Sequence, residues 1–258
     1  MTSECGDSFE VIVGTYEEFL LGYKFQKVGQ EYKFVQSIAE HSHKSSVRAV
    51  TMHNHLLASG GADETIHLYD LVSRKETGVL MQHSGTVNCL KFTPDGAFLV
   101  SCSEDGSLAI FRVGNWVLEK VWPKAHKGEG VNSVSVHPSG KLALTVGNDS
   151  TLRTWNLVKG RRAYATNIGR KSRKPECVHW SGGEGSYYGV PYDTKLDIYS
   201  VQTAGVVHSI QLSSKVSCFT FINVREHISL DRYSLWSTRV IIESIFIRFL
   251  GQVSLSLV

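Results

Sequence analysis

Asp63-Glu64-Thr65-Ile66-His67-Leu68-Tyr69 places an acidic residue six positions before an aromatic one, and this pattern returns along the chain. The further copies are Asp105-Gly106-Ser107-Leu108-Ala109-Ile110-Phe111, Asp149-Ser150-Thr151-Leu152-Arg153-Thr154-Trp155 and Asp193-Thr194-Lys195-Leu196-Asp197-Ile198-Tyr199, with Glu17 to Tyr23 as a weaker copy. Successive acidic residues are 46, 42, 44 and 44 positions apart. A period of about 40 to 45 residues is typical of propeller blades that contain four strands each.

The residues between these copies predict strands that are joined by tight turns. Val87 to Phe92 alternates as a strand, Pro94-Asp95-Gly96 turns the chain, and Phe98 to Ser101 forms the next strand. A second turn leads into the strand Leu108 to Phe111, and the following unit repeats this order. Since no segment of this region sustains a helical period, the sequence predicts an all-β chain.

Each well-formed unit also repeats a histidine, a hydroxyl residue, an acid and an aromatic residue. The sets are His43, Ser59, Asp63 and Tyr69; His83, Ser101, Asp105 and Phe111; and His126, Thr145, Asp149 and Trp155. One such set would suggest a nucleophilic triad, but an enzyme needs only one. Because an unpaired buried polar group costs about 1–3 kcal/mol, we interpret the sets as a structural network. We expect no catalytic site, cofactor or metal site.

Composition is that of an ordinary globular protein, with 42% apolar and 20% charged residues among 258. The five cysteines form no C-x-x-C pair and are expected to be buried thiols. Residues 1 to 10 lack the basic and apolar regions of a secretory signal, so we expect an intracellular protein. Arg239, Glu243 and Arg248 interrupt the apolar tail, so we expect no membrane span.

One segment, residues 159–174, departs from the charge balance of the chain, and we call it the basic strip. It contains seven basic residues and no acidic one, whereas the whole chain carries a net charge of only +3. The basic residues are Lys159, Arg161, Arg162, Arg170, Lys171, Arg173 and Lys174. Such a strip is either an ordinary solvated strand and loop or a surface for RNA phosphates or an acidic protein.

The unit that contains His83, Ser101, Asp105 and Phe111 resembles the WD40 repeat, although an aromatic-Asp dipeptide occurs only at Tyr69-Asp70. The resemblance implies a β-propeller in which the repeated polar residues hold each blade together. About two more blades would be needed to close a ring of seven, on the order of 80 residues at this period. We therefore predict an incomplete WD40-type β-propeller of about five blades plus one strand.

Several runs resemble one group of WD40 proteins, those that bind p21-activated kinases. The runs are Asp63 to His67, His83 to Val87, His137 to Leu144 and Thr151 to Val158, and the similarity extends from about Val11 to Ile222. The group implies binding to the regulatory region of p21-activated kinases with negative regulation of their signalling. It also implies a role in large ribosomal subunit biogenesis in the nucleus and nucleolus, with large-subunit preribosome proteins and rRNA as partners.

The chain departs from that group after Ile222. We predict a disordered terminus at residues 1–8, propeller blades at 9–222, and a poorly ordered apolar tail at 223–258 that lacks the group's Lys-rich ending. A cytoplasmic location is the alternative that this missing ending leaves open. The leading hypothesis is a monomeric, non-catalytic scaffold, and the alternatives are an RNA- or preribosome-binding module that uses the basic strip, or a truncated form without function.

Overall fold

The computed structural model describes residues 9–28, 31–168, 174–222, 239–241 and 254–257. Within these residues, antiparallel strands form five four-stranded sheets, which are the propeller blades, and one two-stranded sheet. This arrangement confirms the predicted all-β, incomplete WD40-type propeller. The described residues contain no helix that is long and apolar enough to cross a membrane.

Blades 2 to 5 follow the chain in order from the inner to the outer strand. Their strands are β4 (Val47–His53), β5 (Leu56–Gly61), β6 (Ile66–Asp70), β7 (Lys75–Leu80); β8 (Val87–Phe92), β9 (Phe98–Ser103), β10 (Leu108–Arg112), β11 (Leu118–Trp122); β12 (Val131–Val136), β13 (Leu142–Gly147), β14 (Thr151–Asn156), β15 (Arg161–Asn167); β16 (His179–Trp180), β17 (Tyr187–Tyr192), β18 (Lys195–Ser200), β19 (Val206–Gln211). The first strands of neighbouring blades contact each other and therefore lie innermost. The outer strands β7, β11, β15 and β19 are mostly exposed.

Blade 1 draws its strands from two distant parts of the chain. Its order is β22 (Ser254–Leu257), β1 (Phe9–Gly14), β2 (Leu20–Val28) and β3 (Glu31–Glu40). β22 pairs antiparallel with β1, from Val11 opposite Leu257 to Gly14 opposite Ser254, and so takes the innermost position. The tail therefore supplies the fourth strand of this blade.

The remaining sheet pairs β20 (Thr220–Ile222) with β21 (Arg239–Ile241). β21 and β22 are the parts of the segment 223–258 that the structure describes. The predicted poor order of the rest of this segment, and the predicted disorder of residues 1–8, fall outside the described residues.

The core consists of apolar layers between neighbouring blades. Leu68 of blade 2 packs in one layer with Leu90 and Phe111 of blade 3, and Val100 of blade 3 packs with Val134 of blade 4. Strands in the middle of a blade are covered on both faces, so they read as short apolar runs with small residues. The layers hold the blades side by side and fix the loops at their ends.

Gly60 shows how closely two blades approach. A Cβ atom at this position would lie 2.6 Å from Cγ1 of Val87, which is too near for any side chain. Glycine therefore permits β5 of blade 2 to pack against β8 of blade 3.

Candidate functional site

In blade 2 the repeated polar residues meet at the end of the sheet where β4 begins. Nε2 of His43 lies 2.7 Å from Oγ of Ser59, and Nδ1 lies 3.0 Å from Oδ2 of Asp63. Asp63 also accepts the backbone N–H of Lys44 at 2.9 Å, which ties the loop before β4 to the turn after β5. Gly61 leaves the space for this pair, because a Cβ there would lie 2.5 Å from Nδ1 of His43.

Blade 3 repeats the arrangement with one difference. Nε2 of His83 lies 2.7 Å from Oγ of Ser101, but Nδ1 meets Oγ of Ser107 at 2.8 Å and the carboxylate of Asp105 only at 3.6 Å. Asp105 instead accepts the backbone N–H groups of Ser84 and Ser107, at 2.9 and 2.7 Å. The acid therefore holds the loop mainly through the backbone.

Blade 4 has the fullest network. His126 lies 2.8 Å from Asp149 through Nδ1 and 2.7 Å from Oγ1 of Thr145 through Nε2, and the indole N–H of Trp155 donates to the same Oγ1 at 2.8 Å. Because an ionised carboxylate only accepts, Nδ1 of the neutral imidazole carries the proton. The Arg153 guanidinium adds a hydrogen bond to Asp149 at 2.7 Å.

The environment fixes the charges of these groups. Burial lowers the pKa of the His83 and His126 imidazoles below the ordinary value, so both rings are neutral near pH 7. Burial alone would raise the pKa of the Asp149 carboxyl, but hydrogen bonds from His126 and Thr151 hold it well below its usual range. In blade 4 the network therefore joins a carboxylate to a neutral ring, whereas in blade 3 the neutral ring meets the hydroxyl groups of Ser101 and Ser107.

The hydroxyl groups in these networks have no access to solvent. Ser59, Ser101 and Thr145 are each 0% exposed, and their histidines are 8% exposed or less. A nucleophilic hydroxyl must reach a substrate carbonyl or phosphorus atom, so these hydroxyls lack the access that such chemistry requires. In blades 2, 3 and 4 the hydrogen bonds can hold the loop before the first strand against the second strand and the turn that follows it.

The aromatic members of the sets lie in the core. Tyr69, Phe111 and Trp155 are each 3% exposed and belong to the layers between blades 1 and 2, 2 and 3, and 3 and 4. They cannot stack on a nucleic-acid base without leaving these layers. The stabilising role of the twelve network residues stays a prediction, for which this geometry gives the basis.

The described part of the basic strip is exposed. Lys159 lies in the turn before β15, and Arg161 and Arg162 begin that outer strand, while Lys174 follows later. Beyond the predicted strip, Lys120 of blade 3 comes within 4.0 Å of where a Gly160 side chain would begin. Arg170, Lys171 and Arg173 lie outside the described residues.

Sequence reasoning missed two asparagines on inner strands that connect neighbouring blades. Nδ2 of Asn88 donates to the carbonyl oxygen of Val131 at 2.9 Å, and Nδ2 of Asn132 donates to that of Pro175 at 2.9 Å. Each bond joins one blade to the next. The signal was present, since Val87-Asn88 and Val131-Asn132 are 44 residues apart, which is the repeat period.

It also missed His67, which lies near His43 and Asp63. One ligand atom from each of the three residues lies within 4.8 Å of the other two. The spacing of these positions along the chain matches no compact metal-binding motif, and only the folding of blade 2 brings them together.

The repeats are matched by the WD domain, G-beta repeat, at residues 32–70, 74–112 and 117–156. Among curated proteins, the chain is similar to the p21-activated protein kinase-interacting protein 1-like of Danio rerio, at 40% identity over 85% of this chain and 59% of that protein. The human p21-activated protein kinase-interacting protein 1 is 39% identical over 83% of this chain and 54% of its own length. Protein MAK11 of Saccharomyces cerevisiae is 29% identical over 88% of this chain and 59% of its own length.

The chain spans less than two thirds of the length of these relatives. Each of the three matched repeats covers the outer strand of one blade and the first three strands of the next. The kinase-interacting relatives share about 40% of the residues of this chain over most of its length. The chain therefore belongs to the WD40-repeat family, in which it resembles the p21-activated protein kinase-interacting proteins.

Proposed function

We propose that this chain is a non-catalytic propeller scaffold that binds other proteins, with the regulatory region of a p21-activated kinase among its partners. The complete burial of Ser59, Ser101 and Thr145 carries the first part, because the polar sets that resemble a triad are closed to substrates. The names of the similar proteins from Danio rerio and human support the choice of partner.

Binding to a regulatory region gives a physical route to negative regulation. A scaffold that binds the inactive arrangement of the kinase more tightly than the active one shifts the population toward the inactive state. The shift cannot exceed the difference between the two binding free energies, so the effect on activation should follow the occupancy of the complex.

The loops at the end of the blades that carries the histidines offer a surface for such a partner. Tyr16, in the turn between β1 and β2, is 71% exposed, and Met81, in the loop before β8, is 82% exposed. Aromatic and methionine side chains are enriched at protein interfaces. Val158 lies in the turn between β14 and β15, at the opposite end of the blades, and is 74% exposed.

The test is a calorimetric titration of the purified chain with the purified regulatory region of a p21-activated kinase. We expect saturable one-to-one binding, and a proportional decrease in activation when the chain is added to the full-length kinase. Tyr16→Ala combined with Met81→Ala should weaken binding at least about tenfold, whereas the matched Val158→Ala variant should not. Absence of binding to the folded chain would refute the kinase partner.

A second candidate function is binding to RNA in the assembling large ribosomal subunit, in the nucleolus. The basic strip favours it, because β15 is an exposed outer strand and Lys159, Arg161 and Arg162 stand together at its start. Tyr164, on the same strand and 65% exposed, provides an aromatic face on which a base can stack.

RNA binding is tested by fluorescence anisotropy with a labelled single-stranded RNA oligonucleotide over a range of salt concentrations. Replacing Lys159, Arg161 and Arg162 with alanine should reduce the salt slope by about 2, since each phosphate contact contributes about 0.7 for a single strand. The control replaces Lys24, Lys44 and Lys75, three exposed lysines on other blades. Equal slopes for the two triple variants would exclude the basic strip as the RNA contact. Nucleolar exclusion of the tagged chain would count against a role there.

A further inference from the structure

Among the residues that the structure describes, His67 gives blade 2 a cluster of side chains that the other blades lack. The corresponding residue, two positions before the aromatic one, is Ala109 in blade 3, Arg153 in blade 4 and Asp197 in blade 5. In blade 2 the His67 ring lies edge-on to the His43 ring, with centroids 4.3 Å apart. Its Nδ1 atom lies 3.1 Å from Oε1 of Glu76 on the outer strand.

From this cluster we propose that His43, Asp63 and His67 form a binding site for one divalent transition-metal ion, with Zn²⁺ as the preferred ion. Two imidazole nitrogens and one carboxylate oxygen are a ligand set that Zn²⁺ uses in three-ligand sites, with water in the fourth position. One ligand atom from each residue already lies within 4.8 Å of the other two.

The geometry requires only small movements. Zn²⁺ holds nitrogen and oxygen ligands at about 2.0–2.2 Å, which puts tetrahedral neighbours roughly 3.3 Å apart. Nδ1 of His43 and Oδ2 of Asp63 are 3.0 Å apart, close to that separation. The 4.8 Å limit on the separations of the three ligand atoms exceeds the tetrahedral separation by about 1.5 Å, so the His67 ring has to move by no more than about that distance to complete the set.

In both histidines, one ring nitrogen can bind the metal while the other hydrogen-bonds to a neighbouring side chain. Nδ1 of His67 lies 3.1 Å from the Glu76 carboxylate, which can only accept, so in the neutral tautomer that donates to Glu76 the Nε2 atom carries no proton and its lone pair can bind a metal. When the metal takes Nδ1 of His43, the ring proton moves to Nε2 and donates to Oγ of Ser59, 2.7 Å away. Metal-bound histidines usually make such a second hydrogen bond.

Charge also favours a cation at this point. Asp63 and Glu76 bring two carboxylates next to two imidazoles, and within the described ranges neither carboxylate pairs with a lysine or arginine. In blade 4 the Arg153 guanidinium occupies the corresponding position and pairs with Asp149 at 2.7 Å. The side chains of His67 and Asp63 are 10% and 9% exposed, whereas that of His43 is 0% exposed, so the cluster lies just below the surface.

The test uses the full chain, freed of metal by a chelator. Competition with a chromophoric zinc indicator should show one Zn²⁺ per chain, and Co²⁺ should give visible d–d bands without the near-ultraviolet charge-transfer band of thiolate ligands. Zn²⁺ should also raise the melting temperature, because it binds the folded state only.

His67→Ala reproduces the residue found in blade 3, so this variant is expected to fold. It should weaken Zn²⁺ binding at least about 100-fold and abolish the Co²⁺ spectrum, whereas the matched His55→Gln variant, at an exposed histidine outside the cluster, should change neither. The proposal is overturned if the chain binds no Zn²⁺ at micromolar concentration, if His67→Ala binds as tightly as the parent, or if the Co²⁺ spectrum shows thiolate ligands.

Discussion

The guanidinium of Arg74 donates two hydrogen bonds to the carboxylate of Glu10, at 2.6 and 2.9 Å, and so joins blade 2 to blade 1. Burial alone would raise the pKa of the Glu10 carboxyl, but hydrogen bonds from Arg74 and Ser37 outweigh burial and lower it. This pairing fixes the orientation of both side chains, because two parallel bonds tolerate little rotation.

Removal of Arg74 should therefore loosen the contact between the first two blades. We expect Arg74→Ala to lower the free energy of unfolding by about 1–3 kcal/mol, since it leaves Glu10 largely buried without its cation. Urea denaturation, monitored by circular dichroism, measures the change in the free energy of unfolding.

Arg74→Lys is the control for geometry, because it keeps the charge but loses the paired bonds, and it should fall between the parent and Arg74→Ala. Lys33→Ala, which removes an exposed ion pair with Glu31, should change stability little. If Lys33→Ala and Arg74→Ala lower the free energy of unfolding equally, the pair of Arg74 and Glu10 does not stabilise the fold.

Asp149 and Asp105 hold equivalent positions but have different partners. Replacing each with asparagine should therefore lower the free energy of unfolding by different amounts. Asp149 pairs with both His126 and Arg153, whereas Asp105 lies 3.6 Å from His83 and binds mainly backbone N–H groups. Asp149→Asn leaves the buried Arg153 guanidinium unpaired, so we expect the free energy of unfolding to fall by about 3–5 kcal/mol. Asp105→Asn should lose about 1–3 kcal/mol.

Chemical denaturation measures the free energy of unfolding of both variants and so shows which substitution is more destabilising. The double variant Asp149→Asn with Arg153→Ala is the control, since alanine is the residue of blade 3 at that position, and it should recover part of the loss. Equal losses for the two single variants would mean that Arg153 does not distinguish the blades.

Trp155 adds one hydrogen bond that blade 3 lacks, because Phe111 takes its place there. The indole N–H donates to Oγ1 of Thr145 at 2.8 Å, within a fully buried network. Trp155→Phe should cost about 1–3 kcal/mol, from the lost bond and the smaller ring. A double-mutant cycle with Thr145→Val, read by thermal unfolding, isolates the coupling between the two side chains, and a coupling near zero would refute the contribution of the bond.

Local repeats made most of the fold predictable from the sequence. The predicted strands Val87 to Phe92 and Val131 to Val136 agree with β8 and β12 to the residue, because each lies between turn signals and faces a neighbouring blade. β22 could not be predicted, since a short apolar segment carries no information about which distant strand it will pair with.

In the candidate site too, the repeated features could be predicted from the sequence and the unrepeated ones could not. The histidine, hydroxyl and acid of each blade recur at fixed spacing, so their meeting follows from the repeat. The cluster at His67 depends on Glu76 across the sheet and on the edge-on ring of His43, and in the described part of the chain neither contact has a counterpart in another blade. Unique contacts leave no periodic signal in a single sequence.

His179 predicts how stability depends on pH. Burial lowers the pKa of its imidazole from 6.5 to about 3, with a smaller effect from Lys91, and its ring packs edge-on against Phe219. Below pH 6.5 the unfolded chain binds a proton there that the folded chain does not, so this contribution is complete above pH 6.5 and is lost as the pH falls toward 3. The loss should be about 1.4 kcal/mol per pH unit in that window.

His179→Phe keeps a flat ring against Phe219 but cannot take up a proton, so it should remove this slope. Urea denaturation between pH 6.5 and 4.5 should show the free energy of unfolding of the parent falling more steeply than that of the variant, by about 1.4 kcal/mol per unit. His83 and His126 are also held neutral by burial, so a residual slope of the same sign should persist in the variant. His208→Gln, at an exposed position on β19, should retain the parent's slope. Parallel curves for parent and His179→Phe would show that the His179 ring does not control acid stability.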